Sequence, residues 1–146
     1  MIQVKLNTAK LAKEKGFDGD TFGYYYPSVY QDRILFDNAR DINETFWGKI
    51  PSGSISIPYK FNSHHPESDF IAAPTQSQLQ KWLRDVHNID FIAMVGGGDP
   101  GAGDKWYKFV IPRCFTPKRE EGSVVDSKTY ESALELILVE ALKLIK

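Results

Sequence analysis

Three stretches of the chain carry residues whose types and spacing suit chemistry. The first is a glycine-rich run, Gly96-Gly97-Gly98-Asp99-Pro100-Gly101-Ala102-Gly103-Asp104-Lys105. Gly98 and Gly103 have the spacing of a phosphate-cradling loop. Asp104, however, stands where the lysine of that motif belongs, and Trp106 stands where a serine or threonine should follow Lys105. The run also leads into a strand-like segment, not into a helix whose N-terminus could hold phosphate, and its two aspartates would repel an anion. A single copy cannot stack into a calcium-binding β-roll. The run reads as a flexible hairpin loop, with Gly98, Asp99 and Asp104 kept as candidate ligand-contacting positions.

The second stretch is aromatic: Phe22-Gly23-Tyr24-Tyr25-Tyr26-Pro27, with Tyr30 close behind. Exposed tyrosine offers a large contact area at low entropic cost, and it can stack on a base or grip a protein. Tyr24, Tyr25, Tyr26 and Tyr30 are therefore candidate binding residues. A sheet with both faces covered would use the same tract as core.

The third stretch, His64-His65 with Glu67 and Asp69, offers metal-ligand types at unsuitable spacing. Adjacent side chains point apart, and neither an HExxH pattern nor a cysteine pair completes a set, so no metal is assigned. Cys114 is the lone cysteine and cannot form a disulfide within the chain. It follows Pro112 with no helix N-terminus to lower its pKa, which argues against a thiol nucleophile. His87 falls at a helix end, where an imidazole interacts favourably with the helix dipole. The pairs Asp18 with Asp20, and Glu120 with Glu121, read as ordinary surface. No catalytic residue and no cofactor are assigned.

These residues must be positioned by a chain of 146 residues, 42% hydrophobic and 25% charged, with a formal net charge of −1. That length and composition fit one domain, residues 1–146, with one core. Near-neutral charge argues against a field that draws the protein onto nucleic acid or an anionic membrane. Gln76, Gln78, Gln80, Lys81 and Arg84 could face a DNA groove from one helix, yet no partner helix precedes it at a tight turn. No apolar run approaches a membrane span, and the N-terminus lacks the pattern of a secretory signal, so a cytoplasmic location is expected.

Asn7 can cap a helix over residues 8–15, with Gly16 just beyond its end and Phe17 as its anchor. Residues 21–26 and 33–36 read as strands joined through a turn at Pro27 and Ser28. Residues 54–61 alternate like an edge strand restricted by Pro58. Phe46 and Trp47 read as plugs against one side of the core. Thr75 and Gln78 form a capping box for a helix whose Leu79, Trp82, Leu83 and Val86 share one face, and Asn88 stops it. Residues 89–95 and 105–111 pair as an antiparallel hairpin around the glycine run. A final helix starts between Ser127 and Thr129. Its stripe comprises Tyr130, Ala133, Leu134, Ile137, Leu138, Ala141, Leu142 and Ile145, and Leu136 and Val139 fall on the far side. The expected class is α+β, an antiparallel sheet with helices packed mainly on one face.

Three segments together resemble a known group: Thr8–Phe17 (TAKLAKEKGF), Ala73–Ile89 (APTQSQLQKWLRDVHNI), and Thr129–Glu135 with Glu140–Ile145. They are similar to a family of small uncharacterised proteins encoded by phages, prophages and gut bacteria. The resemblance implies a phage or prophage origin and transfers no catalytic residue. The resulting expectation is a non-enzymatic binding or interaction module of phage-accessory type, with a protein partner or self-association. The alternative is a protein that binds or sequesters a small ligand such as a nucleotide, between the aromatic strands and the glycine loop. A DNA-binding protein and an enzyme with scattered residues stand behind these two.

Overall fold

Short-range signals set most element boundaries in this chain. The computed structural model describes residues 2–35, 58–64, 66, 69–97, 105–112, 124–127 and 129–146. Their contacts gather into two compact units, Lys5–Thr75 and Met1–Val4 with Gln76–Lys146. Each is α+β, with an antiparallel three-stranded sheet and helices packed against it.

In the unit Lys5–Thr75, helix α1 spans Leu6–Glu14 and begins two residues earlier than Asn7 capping would allow. Lys5 is the N-cap and makes no side-chain capping bond, so Asn7 lies inside the helix. The C-terminus follows its signal. Gly16 adopts the left-handed conformation, φ 86°, its N–H donates to Lys13 O, and the Phe17 N–H donates to Ala12 O. This pair of bonds is the Schellman arrangement, and it turns Phe17 into the core. The buried face of α1 is Thr8, Ala9 and Ala12, small side chains that let the helix pack closely on strand β3, Ile71–Ala73.

Strand β1, Gly23–Tyr25, is central in this sheet. It pairs antiparallel with β2, Ile34–Leu35, and with β3, in the register Tyr24↔Leu35 and Tyr24↔Ala72. The expected turn at Pro27 and Ser28 is a short helix, α2, Pro27–Tyr30. Proline at its first position has the right φ already and has no N–H to leave unpaired. Gln31 ends it at φ 54°. Of the expected strand over residues 54–61, residues 54–57 lie outside the described residues, as do Phe46 and Trp47. Tyr59 makes an isolated antiparallel bridge with Thr21, and the chain then enters helix α3, Phe61–His64. Pro58 has no N–H with which to extend a ladder.

In the other unit, helix α4 spans Gln76–His87 and buries Leu79, Trp82 and Leu83. Val86 continues the spacing but is exposed, so the apolar face ends one turn earlier than the periodicity suggests. Asn88 stops the helix at φ 52°, and its N–H donates to Arg84 O. Strands β4, Ile92–Gly97, and β5, Lys105–Val110, form the expected antiparallel hairpin, from Ile92↔Val110 to Gly97↔Lys105. A third strand, β6, Val124–Ser127, joins β5 antiparallel and was not anticipated.

Helix α5 spans Tyr130–Lys143 and packs on β5, β6 and α4. Thr129 caps it, accepting the Ser132 N–H at 3.2 Å. Ala133, Leu134, Ile137, Leu138, Ala141 and Leu142 are buried as one stripe, and Leu136 is exposed on the far side. Tyr130 is partly exposed, although its ring meets Phe109 edge-on at 5.3 Å. A polar clamp accompanies this packing. The side chain of Gln76 donates to Glu131 O at 2.9 Å and to the buried Glu135 carboxylate at 3.0 Å, while its N–H donates to Ile2 O.

Candidate functional site

Charged side chains recur on α1 at helical spacing. Lys10, Lys13 and Glu14 sit at i, i+3 and i+4 and so share one side of the helix. They line an open cleft of about 550 Å³. Pro27 and Ser28 of α2 form another part of its wall, and Pro66, Asp69 and Ile71 complete it at the approach to β3. A smaller hollow of about 210 Å³ adjoins, lined by Phe17, Asp18, Asn62 and Ser63. The two share Lys13 and Pro66.

Lys13 is held in place, with its Nζ donating to Phe70 O at 2.8 Å. Partial burial pushes the pKa of this amine below its ordinary value, and the nearby Asp69 carboxylate offsets part of that shift. The cleft therefore presents two ammonium groups and two carboxylates above apolar surface from Pro27, Pro66 and Ile71.

A connected series of rings backs this region. Tyr59 meets Phe61 edge-on at 5.0 Å, Phe61 stacks on Tyr24 at 4.8 Å, and Tyr24 meets Phe70 edge-on at 5.6 Å. Phe70 in turn stacks on Tyr26 at 4.7 Å, and Tyr26 lies 6.4 Å from Tyr30. Burial raises the Tyr59 hydroxyl above its ordinary pKa. Offset and edge-on pairs like these rigidify what they support. Here they support α2, which leaves Val29 56% and Tyr30 47% exposed.

The tyrosine candidates thus divide. Tyr24 and Tyr25 are 3% and 2% exposed and form core. Successive residues of β1 point to opposite faces of the sheet, and Tyr24 and Tyr25 are both buried, so β1 is covered on both faces. Tyr26 is half-buried and serves as a support, and Tyr30 remains accessible. Gly98, Asp99 and Asp104 lie outside the described residues, as do His65, Glu67 and Cys114. His87 ends α4 with its ring edge-on to Trp82 at 4.5 Å.

Sequence reasoning gave Lys10, Lys13 and Glu14 no binding role, and weighed Asp69 only beside the two histidines. The convergence of the α1 residues with Asp69 depends on the packing of α1 on β3, for which no local signal exists. The described lining of the cleft and hollow supplies two hydroxyls, Ser28 and Ser63, and no imidazole or thiol. The arrangement presents charge at the cleft and exposed apolar surface at α2. Among the described residues, no group of three His, Cys, Asp or Glu is placed to hold a metal ion. No helix among them is long and apolar enough to cross a membrane.

The sequence matches no protein-family model, and no curated protein or solved structure is similar to it.

Proposed function

We propose that the chain is a small non-enzymatic binding module of phage-accessory type that grips a protein partner through α2. The phage-accessory part of this reading comes from the resemblance of the three sequence segments. The binding part rests on one observation: Val29 and Tyr30 are exposed on a short helix whose base is fixed by the Tyr26–Phe70 stack. A large side chain held on a rigid base loses little entropy on docking, and such residues dominate binding energy at protein interfaces. Affinity capture from the native host, with Tyr30→Ser and Val29→Asp as variants, tests this. Both substitutions should release the captured protein while thermal unfolding stays unchanged. Equal capture by parent and variants would overturn the reading.

A second reading, a protein that binds or sequesters a small ligand, is favoured by the cleft itself. Its volume of about 550 Å³ falls within the roughly 300–1,000 Å³ of small-molecule sites. Native mass spectrometry of protein purified from cells separates the two. A retained non-protein mass supports the ligand reading, and a retained chain supports the partner reading.

A further inference from the structure

Sheets leave unpaired backbone N–H and C=O groups at their edges, and natural chains blunt those edges with shortness, charge, proline or a covering group. Four edges are present among the described residues, and three of them are blunted. β2 is two residues long. β3 is three residues long, and the Asn62 carboxamide takes its Ala72 N–H. β6 is four residues long and carries Asp126. β4 is different. Its six residues, Ile92-Ala93-Met94-Val95-Gly96-Gly97, contain neither charge nor proline, and they keep an unbroken register with β5. Among the described residues β4 pairs with β5 alone, and Ile92 is 57% exposed.

We infer that β4 is a self-association edge, where a second copy of this chain adds its own β4 antiparallel. An edge of this kind recognises extended backbone, because N–H and C=O groups are what it offers. A flexible peptide must lose conformational freedom to become extended, whereas β4 of a second copy is already held so by β5. Two-fold symmetry sets the same strand on both sides, so each bond to one side of the axis recurs on the other. Such pairing also brings any charge on the strand close to its own copy, which opposes association. β4 carries none. Asp90, just before it, lies 3.9 Å from the Arg84 guanidinium, which offsets its charge. The product is one continuous sheet of six strands, three from each copy. The inference goes beyond the α2 reading and does not depend on it.

The test is sedimentation equilibrium of the full chain, joined to hydrogen exchange at low and high protein concentration. The chain should show a monomer–dimer equilibrium, and alternate amides of β4 should exchange more slowly as the dimer forms. Ile92→Lys places like charges near each other across the axis and should weaken the dimer at least about tenfold. Tyr30→Ser should leave the dimer unchanged, which separates this contact from α2. Leu136→Lys should also leave it unchanged, since Leu136 is an exposed apolar residue of α5 and not of the edge. A monomer at every concentration would overturn the inference, and α2-dependent capture by that monomer would leave the partner reading standing. A dimer whose β4 amides do not slow would overturn the inference too. Sensitivity to Leu136→Lys in place of Ile92→Lys would move the contact to α5, with the same result. Protection of β4 in a monomer by an added peptide of the sequence Asp90–Gly97 would assign the edge to a foreign strand and overturn self-pairing. If Ile92→Lys failed to fold, exchange in the parent chain would still decide.

Discussion

The carboxamide of Asn62 accepts the Ala72 N–H at 2.9 Å, and its amino group donates to Phe17 O at 3.0 Å. One buried side chain thereby joins α3, β3 and the exit of α1. Asn62→Leu would keep the volume and leave two buried backbone groups without partners. It should cost about 1–3 kcal/mol per orphaned group at most, read as a lower urea midpoint at unchanged slope. A loss under about 0.5 kcal/mol, the range of ordinary surface changes, would mean that water replaces the carboxamide.

Leu138 and Trp82 are both buried, on helices that pack against each other. Leu138→Ala should cost about 2–5 kcal/mol by denaturant titration, since it removes apolar volume from a fully enclosed site. A loss under about 1 kcal/mol would require collapse of α5 onto the space.

Gly16 and Gly19 resist substitution for different reasons. A Cβ at Gly16 has open space, but φ is 86°, so Gly16→Ala should cost about 1–2 kcal/mol. Gly16→Asn should cost less, because asparagine tolerates the left-handed region. A Cβ at Gly19 would lie 2.6 Å from the Phe17 ring, which is itself buried. Gly19→Ala should cost about 1–3 kcal/mol as an overpacking defect. Adding Phe17→Leu should relieve part of the Gly19 effect and none of the Gly16 effect.

Lys13 should titrate below its ordinary value of 10.5, chiefly because burial disfavours its charged form. The unfolded chain then holds this proton longer, so stability should rise with pH between the depressed value and 10.5. Solvent screening keeps the effect small. Tyr59 acts oppositely: its raised pKa makes stability fall as pH climbs above 10.0. NMR of the lysine Cε resonances checks the first point. Asp69→Asn should lower the Lys13 midpoint further, because the carboxylate now raises it. An unmoved midpoint would separate the two charges.

The sequence made some of this legible and hid the rest for identifiable reasons. Gly16, Asn88 and Thr129 marked helix ends because capping is local chemistry, and all three act as caps or stops. The hairpin β4–β5 was legible because apolar and aromatic runs flank a glycine connection. Strand β6 was not, since four residues with two valines give too short a pattern. Asn7 misled because the helix starts two residues before its expected first residue, and Val86 because periodicity does not record where the covering surface ends. The cleft was the least legible feature. Lys10 and Asp69 come to line one cleft only after α1 packs on β3, and no spacing along the chain records that packing.

The strand order β4-β5-β6 follows the chain, whereas β1 pairs with β3, whose partner register joins Gly23 to Ala73. Forming the first sheet closes short loops one after another, and forming the second requires a long segment to give up its freedom before any ladder bond forms. The two sheets should consequently differ in speed of assembly, with β4-β5-β6 and α5 protected from hydrogen exchange early in refolding and β1–β3 late. The residues lining the cleft depend on that late pairing. On refolding from denaturant, the surface of the cleft is therefore completed at the end of folding.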